Sequence, residues 1–470
     1  MIIAYAVVLG LALLGLAYAL FRIARDPVLG VCIFVFLSAI TVTPDLPVIG
    51  DRVIVADGIM FFVIVISAFN GILFRPSPPG LRLVDQLAGI FIIIATLSSL
   101  LALFTYGDPV RVILFMLIYL YGYLCFRVIL RIMTDEAALR RVFTWWTFAI
   151  VMVVGVGFLA ATGIYRPAWS FDAIIHRVSA TFKMSGQVSS YLGPGMFLLV
   201  YLATLRQAGL WQRAGFTVLL LLSAYVMLST GSRISFVIMV VAMVLGSFVI
   251  VTTSPRLVRP GVLIAAMGAG IAVFIFFALS VWSDTSTRYS NVETSPLERA
   301  LKMWSEQSRA DEIDLSTVGG TRTDEIATAL ENMHRHLLLG TGSGMFSQTY
   351  KINEIHNSYV SVLAENGLLA FIALMFWWSA VGVILIIEAM RLRGTRQMIM
   401  RLVTLGFLSI SIYQLTTNGL RQRPFWFAPA IALATASVLR RSDLAEAATV
   451  RNVSEILETA GPRPSLRHVS

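Results

Sequence analysis

The sequence predicts an all-α polytopic integral membrane protein of about 12–13 transmembrane helices with one large external helical loop. Three observations predict it. The 470 residues are 57% hydrophobic and only 13% charged. Mean hydropathy is +0.81, and the apolar residues gather into about thirteen runs, most near the roughly 20 residues that cross a ~30 Å hydrocarbon core. Such a composition excludes a soluble globular enzyme, a disordered chain and a nucleic-acid binder.

The runs lie near residues 2–21, 27–43, 57–74, 86–105, 110–132, 142–162, 188–205, 215–230, 233–252, 261–282, 358–387, 402–418 and 425–439. The first lacks a basic n-region and is too long for a signal-peptide core, so it is read as a helix. Cys32 and Cys125 sit inside apolar runs and supply neither a disulfide framework nor a metal motif.

Orientation follows from the Lys/Arg bias of short connections. One alternate set carries Arg22 and Arg25, Arg75 and Arg82, Arg127, Arg131, Arg140 and Arg141, Arg206 and Arg213, Arg256 and Arg259, Arg391 to Arg401, and Arg440 with Arg441. These belong in the cytoplasm. The opposite set includes the acidic loop 44–57 and residues 163–187, 283–357 and 419–424. Thirteen crossings then place the N-terminus outside and the C-terminus inside. The net charge of +10 is therefore mostly an orientation signal.

The division that follows is residues 1–282 as about ten N-terminal membrane helices, 283–357 as the external loop, 358–440 as about three further helices, and 441–470 as a poorly ordered cytoplasmic tail. Within the loop, Ser295 to Glu298 forms a capping box with Pro296 at the first helical position. A second amphipathic helix starts around Thr321 to Asp324, with Ile326, Leu330, Met333 and Leu337 on one face. It runs into glycines 340, 342 and 344, which follow a helix rather than a strand. They read as a stop and turn, not as a nucleotide loop.

The external side also collects cations at helix ends: Arg177, Lys183, Arg233 and Arg322. Arg233 lies between apolar stretches and opposes the charge bias. It either snorkels to headgroups or grips phosphate oxygens bidentately. His356 stands where the large loop re-enters the membrane. A histidine at that boundary is either an interfacial hydrogen-bonding group or a proton acceptor tuned near neutral pH. Glu365, about two turns further on, either assists such a base or pairs with an arginine. No carboxylate cluster suggests a metal, and no carboxylate pair occupies the middle of a run, as a coupled transporter commonly needs.

Three stretches together resemble the O-antigen ligase/O-antigen polymerase superfamily of bacterial membrane glycosyltransferases. They are LSTGSR at 228–233, Arg322 followed by LLGTGSGMF at 338–346, and HNSYVSVLAENGL from His356. RVSATF at 177–182 is a looser match; the family continues there with an Asn-Pro-Asn-like turn, whereas this chain has KMSGQ. The resemblance implies a GT-C-like fold in the bacterial inner membrane, with an active site facing the periplasm. It implies a glycan donor carried on undecaprenyl diphosphate, an acceptor that is a glycan or lipid A–core, and surrounding membrane lipid. It implies transfer with inversion and without a metal or other cofactor. Arg233, Arg322 and Arg177, with Lys183, are then the diphosphate-binding candidates, because fixed cations stabilise the charge on a departing diphosphate. His356 is the candidate base, with Glu365 as its helper. Ligase and polymerase share this donor and leaving group. A lipid-linked glycan transporter or flippase, or a metal-dependent protein oligosaccharyltransferase, are the rival classes.

Overall fold

The computed structural model describes residue 15 and residues 17–42, 54–105, 108–167, 169–172, 177–205, 208–253, 322–350 and 355–459. The tenth apolar run and the amphipathic helix expected from Ser295 lie outside the described residues, as does most of the first run.

Helices begin where the sequence offers a cap. Asp26 accepts from Leu29 N at 3.3 Å ahead of α1 (Pro27–Leu37). After α2 (Val55–Phe69) and α3 (Arg82–Thr105), Asp108 caps α4 (Pro109–Ile132) by accepting from Arg111 N at 3.1 Å. Asp135 caps α5 (Glu136–Thr162) in the same way at 2.8 Å. Each satisfies an N–H group that the first turn leaves without a partner. A two-residue hairpin, β1 (Phe171–Asp172) with β2 (Arg177–Val178), leads into α6 (Ser185–Thr204). Then come α7 (Leu210–Ser229), α8 (Arg233–Thr253), α9 (Arg322–Asn332), the single turn α10 (Phe346–Thr349), α11 (Ser358–Arg391), α12 (Gly394–Gln414) and α13 (Arg423–Thr459).

The protein is all-α and polytopic. Among the described residues, α3, α4, α5, α7 and α11 are long and apolar enough to cross a membrane. Helices α1 and α2 are apolar but shorter. Packing uses glycines where helices approach closely. A methyl at Gly122 of α4 would lie 2.3 Å from the Trp426 ring of α13, and one at Gly157 of α5 would lie 2.6 Å from Val226 of α7. Trp377 of α11, wholly buried, anchors an aromatic cluster with Phe126 and Trp426, each 5.4 Å away between ring centroids.

The bundle has two chemically different ends. At one, the buried Asp85 accepts from Arg131 at 2.8 Å and from Ser77 at 2.6 Å. Arg141 pairs with Asp26 there at 2.6 Å, and Arg440 reaches Glu388 at 3.3 Å. These arginines belong to the set that the charge bias assigned to one side. Of the expected tail, residues 460–470 lie outside the described residues, and residues 441–459 continue α13. This stretch is rich in Ala, Leu and Glu, which favour helix, and Arg396 of α12 braces it through Asp443 at 3.3 Å and Glu446 at 2.8 Å.

Candidate active site

The opposite end gathers the N-termini of α6, α8 and α11 and the C-terminus of α12. Its framework is a break in α11. Asn357 caps this helix by accepting from Tyr359 N at 3.0 Å and Val360 N at 3.1 Å. Ten residues after Asn357, Gly367 leaves the helical conformation, with φ 79° and ψ 179°, a region open essentially to glycine alone.

The glycine-rich turn fills that break. Gly342 N donates to the Glu365 carbonyl at 2.7 Å, and Thr341 N to the Ala364 carbonyl at 3.2 Å. In return Leu368 N donates to the Leu337 carbonyl at 2.8 Å. The backbone groups freed by the break are thus satisfied by the turn, as an apolar surrounding requires. Serines of α3 complete the joint. Ser98 donates to the Leu339 carbonyl, and Ser99 lies 2.9 Å from the Ser343 hydroxyl. Asn366 Nδ2 donates to Ser343 at 2.7 Å.

Glu365 belongs to this joint. Its buried carboxylate accepts from Gly344 N at 2.9 Å and pairs with Arg421 at 3.1 and 3.2 Å. Of the two readings open from the sequence, the arginine-paired one describes its position. The Arg421 guanidinium also lies 4.0 Å over the Phe115 ring, while Arg111 of the same helix as Phe115 donates to the Gly344 carbonyl at 2.9 Å. Arg421→Ala is expected to destabilise the protein by about 3–5 kcal/mol, because it strands a buried carboxylate. Arg421→Lys recovers only part of this, lacking the planar fork. Thermal unfolding in detergent reads the effect, and an unchanged midpoint for Arg421→Ala would contradict it.

His356 stands just outside the joint and is 41% exposed at the side chain. The carboxylate beside its ring comes from a different element: Glu325 of α9, with Oε2 2.9 Å from Nδ1. The backbone of Arg322 opens α9 one turn before Glu325. The apolar stripe read along this helix turns outward in part, with Leu330 51% and Leu337 40% exposed, while Glu325 and Ala329 face inward.

A second set of cations comes from the other side of this end. Gly231 has φ 61° in the turn before α8, and a methyl there would lie 3.4 Å from Arg177 Nε. Arg177 therefore rests on the turn two residues ahead of Arg233, whose backbone opens α8. The RVSATF stretch is tightly held: Ala180, fully buried, has φ 52°, and Thr181 donates to the Ala39 carbonyl. Lys183 N donates to Thr41 Oγ1 at 2.8 Å, and the residue is exposed. Ser189 of α6 hydrogen-bonds Ser235 of α8. Gly186, also of α6, abuts the Tyr413 hydroxyl of α12 at 4.0 Å from an added methyl. Asn357 in turn donates to the Leu415 carbonyl at 3.0 Å. This chain of contacts joins the Arg177–Arg233 region to the start of α11.

Sequence reasoning missed Glu325, Arg421 and Arg423. Arg423 is paired with Asp57, Nε to Oδ1 at 2.8 Å. The two arginines carried the signal that singled out Arg233, namely cations in a loop assigned to the side opposite the positive bias. Glu325 carried none, since a carboxylate in the first turn reads as a helix-start residue. Among the described residues, no group of three or more His, Cys, Asp or Glu side chains is placed to hold a metal ion.

The break in α11, the glycine-rich turn docked in it and the half-exposed His356 with its buried Glu325 partner make up the candidate site. Residues 217–375 match the family model described as O-antigen ligase. Over this third of its length the chain is similar to the O-antigen ligase/polymerase superfamily of membrane glycosyltransferases. The match contains Arg233, Arg322, the glycine-rich turn, His356 and the α11 break; it leaves out Arg177, Lys183 and Arg421. No curated protein sequence matches the chain.

Proposed function

We propose that this protein transfers a glycan from undecaprenyl diphosphate to a sugar hydroxyl at the periplasmic face of the bacterial inner membrane, without a metal and with inversion at the anomeric carbon. The observation that carries the reading is the convergence, at one end of the bundle, of segments far apart in sequence. The α8 start with its Arg177-bearing neighbour, the glycine-rich turn and the His356 head of α11 lie at that end, linked through α6 and α12. The opposite end holds the arginine set of the cytoplasmic loops, which supports the orientation.

In the proposed step the acceptor hydroxyl oxygen attacks the anomeric carbon. The bond from that carbon to the phosphate oxygen breaks, and its electron pair leaves with the diphosphate. The hydroxyl proton passes to His356, which later returns it to water. Arg177, Arg233, Arg322 and Lys183 stabilise the departing diphosphate, doing with fixed guanidinium and ammonium groups what a divalent ion does elsewhere. Glu365, with Arg421, holds the broken helix that presents His356.

Reconstitution in vesicles with a lipid-linked glycan donor and a sugar acceptor tests the proposal. The expected result is product formation that persists in EDTA and releases the polyprenyl diphosphate. Movement of donor across the bilayer without bond formation would overturn it in favour of a flippase. Inhibition by EDTA with reversal by a divalent ion would overturn the metal-free step. Deletion of the gene resolves the acceptor: single repeat units on lipid A–core indicate a polymerase, and bare core with polymer retained on its carrier indicates a ligase.

A further inference from the structure

We infer that Glu325 is the positioning residue of His356, fixing the ring so that Nδ1 carries the proton and Nε2 is left as the acceptor. The inference deepens the proposed function and rests on its assignment of His356. Three observations carry it. Glu325 is 3% exposed although it is a carboxylate on a short polar helix. Both hydrogen bonds that its carboxylate makes among the described residues end on His356: Oε2 lies 3.3 Å from the backbone N and 2.9 Å from Nδ1. The ring reaches the other way, being 41% exposed at the side chain where Glu325 is 4%.

An ionised carboxylate can only accept hydrogen bonds. The backbone N–H donates to Oε2, and the nearby ring nitrogen must also be a donor to make its bond. Nδ1 therefore bears the hydrogen in the neutral ring, and the lone pair lies on Nε2, the nitrogen away from Glu325. When Nε2 takes a proton from an acceptor hydroxyl, the imidazolium forms beside a buried negative charge already in place. The same carboxylate, by holding the backbone N–H, fixes the residue just before the α11 cap. A purely architectural ion pair needs no such division. It would work as well with the ring buried and the carboxylate outside, whereas here the carboxylate is buried and the ring is offered to water.

The test uses the full-length protein in nanodiscs, with lipid-linked donor and sugar acceptor. Glu325→Gln keeps the size and a hydrogen bond but removes the charge. It is expected to lower kcat by about 10- to 100-fold with little change in KM for either substrate. Glu325→Asp restores part of the loss. In ¹⁵N spectra of histidine-labelled protein, the resonance that disappears in His356→Gln shows protonated Nδ1 in the wild type and a tautomer mixture in Glu325→Gln. If His356→Gln is inactive while Glu325→Gln keeps full kcat, the positioning role fails and the assignment of His356 stands. If His356→Gln retains full activity, that assignment fails and the inference falls with it. If Glu325→Gln loses activity together with its unfolding temperature while the ¹⁵N signature is unchanged, the residue is structural and the inference is overturned.

Discussion

Replacing His356 with alanine is expected to reduce glycan transfer by about 10²- to 10⁴-fold, the range that a positioned proton acceptor supplies, with only a modest fall in unfolding temperature, since the buried Glu325 carboxylate loses the ring but keeps the backbone N–H of residue 356. The side chain is 41% exposed, so its loss opens no enclosed cavity. Asn357, not His356, caps α11, so the helix start survives. Arg233→Ala and Arg322→Ala are expected to cost about 10²- to 10³-fold each, comparable to removing one donor from a charge-stabilising site. Initial-rate measurements on purified variants check this, with thermal unfolding as the control for folding. Full activity in all three variants would remove the histidine and both arginines from the reaction.

The largest structural effect is expected at the break in α11. In Gly367→Ala the new methyl would lie 2.3 Å from the Leu338 carbonyl oxygen and 2.4 Å from its carbon. Both are backbone atoms that cannot swing aside. The conformation is itself disallowed to alanine, at about 1–3 kcal/mol, and forcing the backbones apart adds about as much again. A loss of about 2–6 kcal/mol follows, and transfer falls with it because the turn at 337–344 can no longer dock. Gly382→Ala is the internal control. It lies further along the same helix, where the nearest atom to an added methyl is Phe407 Cε1 at 3.5 Å, an ordinary contact. Thermal unfolding of the two variants side by side decides the matter. Equal midpoints would show that the break is not required.

These two expectations mark what was legible in the sequence. His356 could be singled out because it stands where polarity changes along the chain, at the junction of a long polar loop and an apolar run. Arg233 stood out because it lies between apolar stretches on the side opposite the positive bias. The glycines at 340, 342 and 344 announced a turn. Their docking partner could not be read, because the bonds from Thr341 and Gly342 to Ala364 and Glu365 join residues more than twenty apart without any periodic signature. Glu365, Asn366 and Gly367 interrupt the run 358–387 with an Asn-Gly turn signal, which the apolar length on either side outweighs in the sequence.

Glu365 and Glu325 show the same limit from the other side. Distance along one helix suggested that Glu365 serves His356; the fold instead pairs it with Arg421, fifty-six residues away, and brings Glu325 to the histidine from thirty-one residues upstream. Either glutamate could have been the partner on chemistry alone. Which one is buried, and against what, depends on how α9 and α11 pack.

The class of the protein, its apolar helices and the arginine asymmetry between its two ends follow from the sequence alone, because burial in lipid and the cost of moving charge across it act on composition, residue by residue. The break in α11, the turn that seals it and the carboxylate assigned to each cation follow only from the tertiary structure. A hydrogen bond or an ion pair depends on where two side chains meet in space, and residues remote along the chain meet only once the helices have packed.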